Sequence, residues 1–107
     1  MAESGFVKVA QTGELSPGEM KSVSMGQEEV LLANVDGNFY IISNTCTHAM
    51  GPLAEGELDE DQVQCPVHGA KFSVVTGEVL NPPAGENVQV YEVRISGQDI
   101  LVGPAKT

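Results

Sequence analysis

The residues of this chain most able to do chemistry are two cysteines and two histidines, and they fall in two short clusters. Cys46-Thr47-His48 forms one and Cys65-Pro66-Val67-His68 the other, with 16 residues between His48 and Cys65. In a reducing compartment such cysteines more often hold a metal or act in catalysis than form a disulfide. Two metal sites compete for the set. Structural zinc takes two cysteines and two histidines tetrahedrally, but zinc fingers usually pair cysteine with cysteine and histidine with histidine. A [2Fe–2S] cluster with both thiolates on one iron and both imidazoles on the other can be held between two facing loops that each offer one of each. The mixed order found here suits the cluster better. No histidine is left over for acid–base work, no cysteine for nucleophilic attack, and no glycine-rich phosphate loop is present. The chain is therefore not expected to be an enzyme in its own right.

The elements that must hold these loops read as β throughout. Phe6–Val9, Glu29–Val35, Phe39–Ile42, Gln62–Cys65, Lys71–Val75, Val79–Leu80, Asn87–Ile95 and Ile100–Val102 are expected strands, and no window keeps a helical period. Asp36-Gly37 is a strong hairpin signal. Ser16-Pro17-Gly18, Thr76-Gly77-Glu78 and Ser96-Gly97-Gln98-Asp99 read as turns. With 12 glycines and 6 prolines between short strands, the expectation is one antiparallel β domain.

Composition narrows the function classes. Fifteen acidic residues against five basic ones give a formal charge of −10, which argues against nucleic acid or an anionic membrane as partner. The longest aliphatic run, Val30-Leu31-Leu32-Ala33, is far short of the ~18 residues of a membrane span. Residues 1–20 contain Glu3 and Glu14 and no apolar signal region. A small, acidic, cytoplasmic domain is expected, with no membrane contact and a monomeric state. Glu55, Glu57, Asp59, Glu60 and Asp61 crowd the stretch between the ligand clusters. They read either as a solvated face or as a device that steers the domain toward basic redox partners.

The two clusters, with the following Gly69-Ala70-Lys71-Phe72 and Thr76-Gly77, resemble the Rieske motif, Cys-x-His then Cys-x-x-His. Asn81-Pro82-Pro83 resembles the proline loop that covers the cluster in that family. The resemblance spans nearly the whole chain. It implies an all-β fold, a Rieske-like antiparallel β-sandwich or barrel with a small cluster-binding subdomain made of two ligand loops and a proline loop. Residues 1–107 would form this single domain, its basal part about 1–43 and 85–107 and its cluster-binding part about 44–84. Cys46, His48, Cys65 and His68 would bind one [2Fe–2S] cluster. Gly51 and Gly69 would let the loops bend, and Met50 would help cover the cluster.

Departures from the motif narrow the resemblance. Quinol-oxidising Rieske subunits join a further cysteine from each loop in a disulfide; Gly51 and Val67 stand at those places here. Those subunits also place a serine and a tyrosine whose hydroxyls bond to sulfur, where this chain has Ala70 and Phe72. No membrane anchor is read at the N-terminal end. The remaining pattern is similar to the soluble Rieske-type ferredoxins of bacterial ring-hydroxylating dioxygenase systems. It implies a one-electron carrier between an NAD(P)H-dependent flavin reductase and a terminal aromatic-ring-hydroxylating oxygenase. Without the two hydroxyls, its potential is expected near the low end of the Rieske range of about −150 to +300 mV. The competing readings are a Rieske-like small subunit of an assimilatory nitrite reductase and a zinc-stabilised interaction domain.

Overall fold

The structure is a computed structural model and describes residues 6–25, 28–44, 53–66, 70–81 and 87–105. Ten strands run in chain order: β1 (Val7–Gln11), β2 (Met20–Met25), β3 (Glu28–Val35), β4 (Asn38–Ser43), β5 (Glu57–Asp59), β6 (Gln62–Gln64), β7 (Lys71–Ser73), β8 (Val79–Asn81), β9 (Val90–Ser96) and β10 (Asp99–Ala105). Short 3₁₀ helices at Thr12–Glu14 and Leu53–Glu55 are the only helical turns among the described residues. All pairings are antiparallel. Six strands form one sheet in the order β1-β10-β9-β4-β3-β2, and four form a second in the order β5-β6-β7-β8. The outer strands β1 and β2 of the large sheet approach each other, so that it curls almost into a barrel.

The apolar run in β3 explains how two cores share one wall. Val30, Leu31, Leu32 and Ala33 are all fully buried, although a strand sends successive side chains to opposite faces. Val30 and Leu32 join Ala10, Leu15, Val23, Ile41, Ile100 and Val102 inside the barrel. Leu31 and Ala33 point the other way, into a core with Leu53, Val63, Cys65, Ala70 and Phe72. The paired strand β4 divides likewise, with Ile41 in the first core and Ile42 in the second. Each such aliphatic side chain, fully buried, contributes about 1.5–3 kcal/mol.

The hairpin joining β3 to β4 turns at Asp36-Gly37, both with positive φ (54° and 92°), the geometry that matches the twist of the flanking strands. Buried Asn34 fastens it, accepting the Gly37 N–H on Oδ1 at 2.8 Å and donating Nδ2 to the Leu15 carbonyl at 2.9 Å. On the exposed barrel surface, Glu14 bonds Lys21 and accepts the Gln11 N–H. The lysine bond first, and the backbone bond second, hold its carboxyl below the usual carboxylate value.

Two of the expected strands each lose two or more residues. The Lys71–Val75 strand stops at Ser73, whose Oγ accepts the N–H groups of Val75 and Thr76 at 3.2 Å each. A serine hydroxyl that satisfies the backbone locally offers an alternative to the ladder. The alternating stretch from Asn87 becomes regular strand only at Val90, because residues 87–89 bond irregularly. Asn87 Oδ1 accepts the Val79 N–H, Val88 donates to the Gly77 carbonyl, and the Gln89 carbonyl accepts from Ser43.

Candidate metal centre

Three segments bearing the expected site residues are each closed at the base by described residues: one between β4 and the 3₁₀ helix at Leu53, one between β6 and β7, and one after β8. The first spans 45–52 and carries Cys46 and His48. Asn44, buried where β4 ends, accepts the Leu53 N–H on its carbonyl at 2.7 Å and the Ala54 N–H on Oδ1 at 2.8 Å. One residue thereby ties both ends of that loop. The second loop follows β6 and carries His68. Its base is closed by the Cys65 N–H, which donates to the Ala70 carbonyl at 2.7 Å. The third, 82–86, carries Pro82 and Pro83. It begins at the end of β8, and its return is fastened by the bonds of Asn87 to Val79 and of Val88 to Gly77. Lys71 is registered against Asn81, so the start of β7 and the end of β8 are neighbours. The segment Leu53–Gly56 runs from the first loop to the base of the second.

Of the four expected ligands, the described residues include Cys65. It lies just beyond β6, only 1% exposed, in one core with Leu53, Ala70 and Phe72, which are fully buried. Beside it is a hollow of about 400 Å³ lined by Glu55, Gly56, Glu57, Gln64, Cys65 and Pro66. Cys46, His48 and His68 lie outside the described residues, as do Met50, Gly51, Val67, Gly69, Pro82 and Pro83. The donor chemistry fits a [2Fe–2S] group: a buried thiol just beyond β6, with the sequence offering a second Cys-His cluster between β4 and the 3₁₀ helix at Leu53. Among the described residues, no three His, Cys, Asp or Glu side chains gather as a metal site. The crowded carboxylates of 55–61 therefore do not form one.

Residues 5–92 match the Rieske [2Fe-2S] domain family. The chain belongs to that family. The biphenyl dioxygenase ferredoxin subunit of Pseudomonas sp. (strain KKS102) is 44% identical over 98 residues, covering 91% of this chain and 90% of the relative. The ferredoxin of carbazole 1,9a-dioxygenase from Nocardioides aromaticivorans IC177 superposes with a TM-score of 0.88 at 33% identity, covering 92% of this chain and 97% of that one. A chain from a complex of reduced oxygenase and oxidized ferredoxin in carbazole 1,9a-dioxygenase superposes with a TM-score of 0.91 at 31% identity, covering 98% and 99%. This Rieske domain thus has the all-β architecture its motif implied, and the family brings one [2Fe–2S] cluster as its cofactor. The relatives' names are those of ferredoxin components, which are electron-transfer proteins rather than catalytic subunits. No helix among the described residues is long and apolar enough to cross a membrane.

Sequence reasoning passed over Asn44, Leu53 and Gly56, which support the loops rather than bind metal. The available signals were faint: an asparagine directly after an apolar strand, and a lone glycine among acids. It also passed over β2 and β5. In β5 a single half-buried apolar residue, Leu58, sits between exposed Glu57 and Asp59, and acidic residues are depleted in strands.

Proposed function

We propose that this Rieske domain is a soluble, cytoplasmic one-electron carrier that passes electrons from an NAD(P)H-dependent flavin reductase to a terminal aromatic-ring-hydroxylating oxygenase. The observation that carries this reading is the nearly end-to-end match, on both sides, with a dioxygenase ferredoxin subunit. Residues 44–84 form the cluster-binding part on a basal part of 1–43 and 85–107. Cys46 and Cys65 bind as thiolates, and His48 and His68 bind as neutral imidazoles. When bound, the cluster supplies storage for a single electron. The protein's own share is to hold the thiolate of Cys65 in a dry core and to tie the bases of the loops. Each histidine bound in this way keeps a second ring nitrogen free to face solvent or a partner. The same match disfavours a nitrite reductase subunit and a zinc-stabilised domain.

A reductive titration of the purified protein followed by EPR tests this. A reduced [2Fe–2S] signal appearing near about −150 mV is expected, at the low end of the Rieske range. A signal well above zero would instead indicate a quinol-linked role, and zinc without a signal would indicate a structural domain.

The acidic stretch supplies the second test. Glu57 and Asp59 are exposed, Asp61 is half-buried, and all three lie on or beside β5. At low salt, changing them to Gln, Asn and Asn should slow reduction by the flavin reductase by roughly tenfold, the lower end of what steering supplies. The difference should fade as salt shortens the reach of charge. An unchanged rate at low salt would leave these carboxylates as a solvated face only.

A further inference from the structure

The backbone of Gly56 lies against the base of the second loop more closely than any side chain would permit. A Cβ built on it would stand 1.8 Å from the Gln64 carbonyl oxygen, 3.0 Å from the Gln64 carbonyl carbon and 3.2 Å from Pro66 Cδ. Those two residues flank Cys65. Neither contact is the yielding tip of a long side chain. Gln64 is registered against Glu57 on one side and Lys71 on the other, so its carbonyl is held in the middle of a three-strand ladder. An atom forced in at position 56 must push the chain at Cys65 or push itself away from it.

Gly56 also ends the segment that leaves the first loop. Its N–H donates to the Leu53 carbonyl at 3.0 Å, and Leu53 is fully buried in the core that holds Cys65. At the other end of the segment, Asn44 fastens the N–H groups of Leu53 and Ala54. Residues 53–56 are therefore a spacer with two fixings, one at each ligand loop.

We infer that Gly56 is a positioning residue whose bare Cα sets the separation of the two ligand loops, and through it the placement of the Cys65 sulfur toward its iron. This rests on the reading of Cys65 as a cluster ligand. Partners that orient metal ligands typically alter metal retention by roughly 10–100-fold when they are changed.

The test compares wild type, Gly56→Ala and Gly13→Ala as purified iron-loaded proteins. An added Cβ at Gly13, on the far 3₁₀ helix of the barrel, meets nothing within 4 Å. In Gly56→Ala the EPR g values of the reduced protein and its midpoint potential should both move, and iron should be lost to a chelator about tenfold faster. Gly13→Ala should match wild type in all three. A glycine needed only for packing would lower the melting temperature while leaving g values and potential in place, and that outcome overturns the proposal. Should Gly56→Ala fail to fold, Asn44→Ala removes the side-chain half of the other fixing, the Oδ1 that accepts the Ala54 N–H. It should then shift the g values, and an unchanged spectrum in that variant equally overturns the proposal. Wild type that lacks an iron-dependent signal would instead refute the ligand reading itself.

Discussion

Cys65→Ala should yield a protein without visible colour, without an EPR signal on reduction and with iron near zero by assay. The expectation comes from the thiol's position. It is buried in a core with Leu53, Ala70 and Phe72, while its own N–H closes the second loop on the Ala70 carbonyl. Trimming a buried side chain of this size leaves a small cavity, which by itself destabilises by about 1–2 kcal/mol. The measured loss should be larger, because a metal group bound only by the folded chain adds its binding free energy to folding. Thermal unfolding of the holoprotein and of the variant separates the two contributions. Cys65→Ser, which nearly preserves the volume, should also lose the iron while forming a smaller cavity. A coloured, iron-replete Cys65→Ala protein would remove Cys65 from the ligand set.

Ala70→Ser combined with Phe72→Tyr should raise the reduction potential by on the order of 100 mV, since about 1.4 kcal/mol corresponds to 59 mV for a one-electron couple. Both positions are fully buried and belong to the core of Cys65. A hydroxyl placed there either finds an acceptor or remains an unpaired buried polar group, which costs about 1–3 kcal/mol. Sulfur that gains negative charge on reduction is such an acceptor, and a hydrogen bond to it stabilises the reduced state more than the oxidised one. Hydrogen bonds to charged groups contribute about 1.5–3 kcal/mol each; if each bond favours the reduced state by even half of that, two bonds reach the stated shift. The potential is read by the same EPR-monitored titration in the single and double variants. An unchanged or lowered potential in the double variant, with the melting temperature reduced, would show that the hydroxyls are buried without reaching sulfur.

Most of the framework could be read from residue patterns, because its hairpins carry strong local chemistry. Asp36-Gly37 specifies a turn with two positive φ angles and does so here. Pro17-Gly18 and Gly97 mark turns for similar reasons. Strand ends were less legible. Ser73 could not be distinguished from a strand residue until its hydroxyl was seen to accept two backbone N–H groups, and Asn87 until its side chain was seen to hold Val79. β5 was hidden because solvent, rather than apolar packing, faces two of its three side chains. The expected ligands and their spacing are plain in the sequence. The supports beneath them are not, since Asn44 and Gly56 act through a carbonyl, an amide oxygen and a missing side chain, none of which forms a periodic pattern.

The wall formed by β3 and β4 has a consequence for how this molecule comes apart. Its two faces belong to different cores, so a shift of pairing by a single residue would send Leu31 and Ile42 into the barrel and Val30 and Ile41 out of it. Neither core can rearrange without corrupting the other. The barrel and the four-stranded sheet should therefore melt in one cooperative transition, with hydrogen exchange in β3 and β4 the slowest of the chain. A domain built this way keeps its small sheet fixed to the barrel by the same two strands, so that the pair moves as one body.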